Sequence, residues 1–129
     1  MHELESIIHA ADQAINREDL DAVVDFYTED ATLVVQPGVN ATGKAQIRKA
    51  FTAIVEHFNH TLHVRQDKLI VLEGGPTALV LGQADIRFRD AAGLEVRVER
   101  EATYVFTRDP QGAWRCAVDN SYGTSLLRS

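Results

Sequence analysis

Arg100, Tyr104 and Asn120 are the residues best placed by type and spacing to do chemistry. In the stretch LEVRVEREATYVF, Val96, Val98, Ala102, Tyr104 and Phe106 alternate to one side, and Arg97, Glu99, Glu101 and Thr103 to the other. Arg100 interrupts the apolar row. Burying an unpaired guanidinium is costly, so it needs a carboxylate, an anionic ligand or solvent in a cavity, unless its aliphatic stem carries the charge out to water. Pairing the last two strands across Pro110-Gln111-Gly112 sets Cys116, Val118 and Asn120 beside Phe106, Tyr104 and Ala102, with Tyr122 beyond. Tyr104 and Asn120 then add neutral hydrogen-bonding groups to Arg100. Such a set orients the polar end of a ligand; the same residue types also occur as satisfied core groups.

Other groups carry weaker signals. Asp85, Arg87 and Asp119 form an acid–base–acid set by type, but the hairpin register puts them on the polar face with Arg97, Glu99 and Glu101, where an ion-pair lattice or a subunit contact is expected. A bulge in the last strand would instead turn Asp119 inward. His57, His60 and His63 have a metal-like spacing, yet a helix ends among them, so no metal is expected. Cys116 falls on the apolar face and reads as packing. There is no CxxC pair, GxGxxG, P-loop or nucleophile elbow, and therefore no cofactor is expected.

The elements that must position these groups follow from hydrophobic periodicity. Residues 3–16 place Leu4, Ile7, Ile8, Ala11, Ala14 and Ile15 on one helical stripe. NREDLD is a polar break with the acidic start of a second helix, which carries Leu20, Val23, Val24 and Tyr27, flanked by Phe26. ATLVVQ is a short strand closed by Pro37-Gly38. Thr42 caps a third helix running from about Gly43 to His57, on which Ile47, Phe51, Ile54 and Phe58 share a side. From Leu62 the pattern turns to strands: LHVRQDKLIVLE, TALVLGQADIRFR, LEVRVEREATYVFTR and AWRCAVDNSY, joined by glycine-containing loops as an antiparallel meander. Across Ala91-Ala92-Gly93, Ala84, Ile86 and Phe88 share a face with Val96 and Val98. Three helices followed by a sheet give an α+β fold over residues 1–129, a single domain.

The chain has 129 residues, 45% hydrophobic and 25% charged, with a net charge of −6. That is enough to bury a core. No Lys/Arg run is present, so nucleic acid is not an expected partner. One cysteine excludes an internal disulfide and fits a cytoplasmic setting. The N-terminus lacks the basic and apolar regions of a signal peptide, and no apolar run is long enough to span a membrane.

The segments YTEDATL and GKAQIRKAF and the strand from Trp114 to Tyr122 resemble the SnoaL-like and ketosteroid-isomerase-like branch of the nuclear-transport-factor-two superfamily, with closest similarity to its SgcJ/EcaC subgroup. The resemblance covers nearly the whole chain. It implies a cone-shaped α+β fold in which three N-terminal helices lie on a curved, mixed, mostly antiparallel sheet and enclose a pocket. It implies a homodimer through the sheet and a small apolar or cyclic organic ligand, with a polyketide-like metabolite as one class. Arg100, Tyr104 and Asn120 would orient such a ligand, Phe51, Ile54 and Phe58 would cover it, and Tyr27 and Gln36 would border it along the first strand. Gln36 next to Pro37 reads rather as an exposed turn residue.

Ketosteroid isomerases need a carboxylate base, a tyrosine donor and a protonated aspartate. The base position corresponds here to Val35 or Gln36 and the tyrosine position to Ala11, so that catalytic set is not intact. Asp85, Arg87 and Asp119 match by type the Asp–Arg–Asp set of limonene-epoxide-hydrolase-like members. The alternatives to a ligand-binding protein are thus a cofactor-free hydrolase or dehydratase, with Asp119 as its acid/base, and a non-catalytic dimeric association module.

Overall fold

Residues 2–129 are described by a computed structural model. Helix α1 (Glu3–Asn16) starts at a reciprocal cap: the His2 ring accepts from the Leu4 N–H, and the Glu5 carboxylate accepts from the His2 N–H. Its stripe is buried at Leu4, Ile8 and Ala14. Asp19, whose side chain accepts from the Ala22 N–H, caps the short α2 (Leu20–Asp25). Tyr27 does not extend that helix. It opens strand β1 (Tyr27–Gln36), which is longer than ATLVVQ. The helix stops because the carbonyl of Phe26 accepts from the Cys116 N–H and so joins the sheet.

Pro37-Gly38 turns β1 into a strand absent from the sequence expectation, β2 (Val39–Thr42). Helix α3 (Lys44–His57) follows. Its N-cap is Gly43, not Thr42. Gly43 has a φ of +85°, a conformation glycine adopts without strain, and its N–H is drawn off to the Ala31 carbonyl at 2.8 Å. Thr42 contributes only its backbone N–H, to the Gln46 side chain at 2.9 Å.

The other four strands are β3 (His63–Gly74), β4 (Thr77–Arg89), β5 (Glu95–Arg108) and β6 (Trp114–Asn120), before a short 3-10 helix, Gly123–Arg128. The six strands form one sheet in the order β2-β1-β6-β5-β4-β3, with the β1–β6 pair parallel and the rest antiparallel. α1 lies over β3, and α3 over β1 and β2. Between helices and sheet sits an apolar core that includes Leu4, Ile8, Tyr27, Ile47, Val80 and Phe106. No helix of the described residues is long and apolar enough to cross a membrane.

The β4–β5 register matches the alternation: Ala84 faces Arg100, Ile86 faces Val98 and Phe88 faces Val96, while Asp85 faces Glu99 and Arg87 faces Arg97. The β5–β6 register does not follow the expected alternation throughout. Cys116 sits opposite Phe106, but a bulge then shifts the strand. Val118 falls opposite Val105, Asp119 opposite Tyr104, and Asn120 opposite Thr103. The extra residue turns Val118 outward and Asp119 inward.

Candidate functional site

Between the helices and the inner face of the sheet lies a cavity of about 510 Å³. α1 contributes Ile8 and Asp12, β1 contributes Tyr27 and Val35, α3 contributes Phe51 and Ile54, and β5 and β6 contribute Arg100, Tyr104 and Asp119. Phe58, just past α3, packs with its ring centroid 4.4 Å from that of Phe88 and extends the apolar wall. Thus Arg100, Tyr104, Tyr27, Phe51, Ile54 and Phe58 all face one space. Gln36 borders the same space but is exposed at its rim.

Asn120 is not among these residues. Its Oδ1 accepts from the N–H groups of Tyr122 and Gly123, and its Nδ2 donates to the Gly123 carbonyl at 3.2 Å. The bulge carries it off the cavity face, where it secures the turn into the 3-10 helix. That turn aims Tyr122 at the cavity, with its hydroxyl donating to the Val35 carbonyl at 3.3 Å. Gly123 has a φ of +55°, and a Cβ there would collide with the Glu101 carbonyl oxygen. Gly123→Ala is therefore expected to lower stability by about 2 kcal/mol, from the left-handed backbone and the collision together. Chemical denaturation measures it; an unchanged midpoint would contradict this role for the turn.

Two carboxylates share the cavity. The Tyr27 hydroxyl donates to Asp119 Oδ2 at 2.6 Å. Burial raises the Asp119 carboxyl to about 6, although the bond from Tyr27 pulls it down. Burial also raises Asp12 to about 7, against the hydrogen bond from Gln66 and with help from the Asp119 charge. Gln66 Nε2 donates both to Asp12 Oδ2 and to the Tyr104 hydroxyl, each at 3.2 Å. Because Tyr104 accepts from Gln66, its own O–H remains to donate. Burial pushes both tyrosine hydroxyls well above their usual range, so they stay neutral donors. Gly82 makes this arrangement possible: a Cβ there would come within 2.9 Å of Gln66 Oε1 and 3.3 Å of the Tyr104 ring.

The sequence reading missed Asp12 and set Asp119 outside unless the strand bulged. Asp12 had a signal, since an acid at position 12 falls inside the stripe of α1, between Ile8 and Ile15. Ala11 and Val35, where the isomerase comparison looked for a donor and a base, do line the cavity, yet its acids come from other positions.

Outside the cavity, Asp85 is fully covered on the outer face of the sheet by Arg65, Arg87 and Arg97, with contacts of 3.0–3.3 Å. The hydrogen bonds from Arg87 first, then those from Arg97 and Arg65, hold its carboxyl well below the usual carboxylate range. Asp85 and Arg87 are therefore an external ion-pair lattice, separate from Asp119. The three histidines also diverge: His57 lines the cavity, His60 pairs with Glu18 at 2.9 Å, and His63 is exposed. Cys116 is buried opposite Phe106.

A family profile described as the SnoaL-like domain matches residues 8–116. A search of curated proteins finds no match to the chain. Among solved structures, Aln2 from a Streptomyces species is similar with a TM-score of 0.82 at 15% identity, over 98% of this chain and 92% of that one. An NTF2-like protein with a cystatin-like fold from Novosphingobium aromaticivorans gives 0.78 at 18% identity, over 97% and 86%. A ketosteroid isomerase-like protein from Erwinia carotovora atroseptica gives 0.72 at 22% identity, over 89% and 88%. At these identities the likeness is one of fold.

Proposed function

The chain belongs to the SnoaL-like domain family, and we propose that it binds a small, mainly apolar cyclic molecule in its cavity and uses Asp119 to move a proton on that molecule. Within the family we place it nearest the SgcJ/EcaC subgroup. The observation that supports the reading best is Asp119 itself: a carboxylate in an apolar cavity, held by Tyr27 and raised to about 6, which is ionised yet basic at neutral pH. Asp12, raised to about 7, retains a proton on about half of the molecules at that pH and can return one. Tyr104, whose O–H is free to donate, is the donor for an oxygen on which negative charge develops. Proton removal beside a carbonyl, as in an isomerisation or a dehydration, fits this set and needs no cofactor.

The test uses 2-tetralone, a bicyclic ketone with acidic carbon-bound protons, in deuterated buffer. The protein is expected to accelerate deuterium incorporation next to the carbonyl, followed by NMR, with a rate that rises as pH passes about 6 and Asp119 ionises. An exchange rate equal to that of buffer at every pH would defeat the proton-transfer reading.

A second reading, compatible with the first, is a homodimer through the sheet. Ile70, Leu72, Leu79, Leu81 and Val118 are exposed on the outer face beside the Asp85 lattice. An apolar patch rimmed by paired charges suits a subunit contact. Leu79→Lys combined with Leu81→Lys should convert a dimer into a folded monomer in sedimentation; wild-type protein that sediments as a monomer would remove this reading.

A further inference from the structure

We infer that the cavity's ligand carries a carboxylate, and that Arg100 is the group that binds it. The inference rests on the pocket reading above and narrows its ligand class. Arg100 stands on the inner face of β5, opposite Ala84. Its Cζ lies 4.1 Å above the Tyr122 ring, and Tyr122 is fixed by its bond to the Val35 carbonyl. The guanidinium is thereby held over an aromatic face. Its Nε is buried and has no hydrogen-bond acceptor.

The other arginines of the sheet differ. Arg65, Arg87 and Arg97 share Asp85, Arg115 pairs with Asp25 and Asp109, and Arg89 and Arg108 donate to loop carbonyls. Among the described residues no carboxylate lies within ion-pair distance of Arg100. The two acids of the cavity are engaged elsewhere, Asp119 by the Tyr27 hydroxyl and Asp12 by Gln66. A permanent cation at the wall of an apolar cavity, set over an aromatic ring with no carboxylate in contact, is complementary to an anion that arrives with the ligand. A carboxylate fits the planar fork, and an apolar ring attached to it meets Phe51 and Ile54 across the cavity.

The experiment compares 2-naphthoate with 2-naphthamide, a neutral ligand of nearly the same shape, by calorimetry at pH 7. The wild-type protein is expected to bind the carboxylate roughly ten-fold or more tightly than the amide. R100Q should erase that preference while still binding the amide. Equal affinities for wild type, or a preference that survives in R100Q, overturn the inference and leave the pocket reading standing. Binding of neither compound by the wild-type protein overturns both. The wild-type comparison decides the matter even where R100Q fails to fold.

Discussion

Asp119→Asn should slow proton exchange on 2-tetralone by about 10²–10⁴-fold, the range expected when a positioned acid/base group is removed. The substitution keeps the shape of the side chain. Asparagine Oδ1 can still accept from the Tyr27 hydroxyl, which donates at 2.6 Å in the native protein. Loss of rate would therefore report lost basicity and not a collapsed site. A second consequence follows from the same charge. The Asp119 carboxylate is one of the influences that raise Asp12, so D119N should bring the Asp12 titration down from about 7, read by carboxyl-carbon NMR. Full exchange activity in D119N would show that another group carries the proton.

Asp12→Asn is expected to stabilise the protein at pH 8 by about 2–4 kcal/mol and to have little effect at pH 4. The direction follows from the raised carboxyl. In the folded protein Asp12 titrates near 7, against an ordinary value of 3.8. The native state thus holds a proton that the unfolded chain has already released. That preference favours folding fully below the ordinary value, and the benefit is lost as pH rises through about 7. Above that point the wild-type protein must bury a charge, and asparagine removes the cost while still accepting from Gln66. A shift of this size corresponds to about 4 kcal/mol, and water admitted to the cavity lowers the gain. Denaturation at the two pH values measures it, and equal gains at both would mean that Asp12 is not protonated in the folded state. A cavity acid that weakens the fold at working pH is the kind of cost a functional site imposes.

Much of the architecture is legible in the sequence, because it depends on repeated signals. The stripes of α1 and α3 and the alternation of β4 and β5 each recur over many residues, and the two strands pair with apolar facing apolar at Ile86 and Val98. What escapes is carried by single residues. Gly43 displaces Thr42 as a cap because one amide is already engaged by Ala31. Tyr27 has the spacing of a helical stripe, but the Phe26 carbonyl is captured by β6 first. The site is harder to read than the fold for the same reason. Arg100 and Tyr104 lie on a strand of unbroken alternation and fall where the pattern puts them. Asp119 and Asn120 lie past a bulge with no glycine to mark it, and they exchange faces. Asp12 is hidden differently: an acid inside an apolar stripe interrupts the pattern that reveals the helix, and what sets it apart is Gln66, more than fifty residues away in the chain.

The bulge in β6 also bears on how relatives are to be compared. Cys116 and Asp119 both lie on the inner side of the sheet although they are three positions apart, an odd spacing that a straight strand cannot give to one face. A relative without the extra residue would hold the same acid two positions after the matching core residue. Two such chains keep one carboxylate at one point in space while their aligned letters disagree. Among proteins as divergent as these, a column that looks variable at this strand can conceal a preserved acid, and a column that looks preserved can hold an outward-facing one.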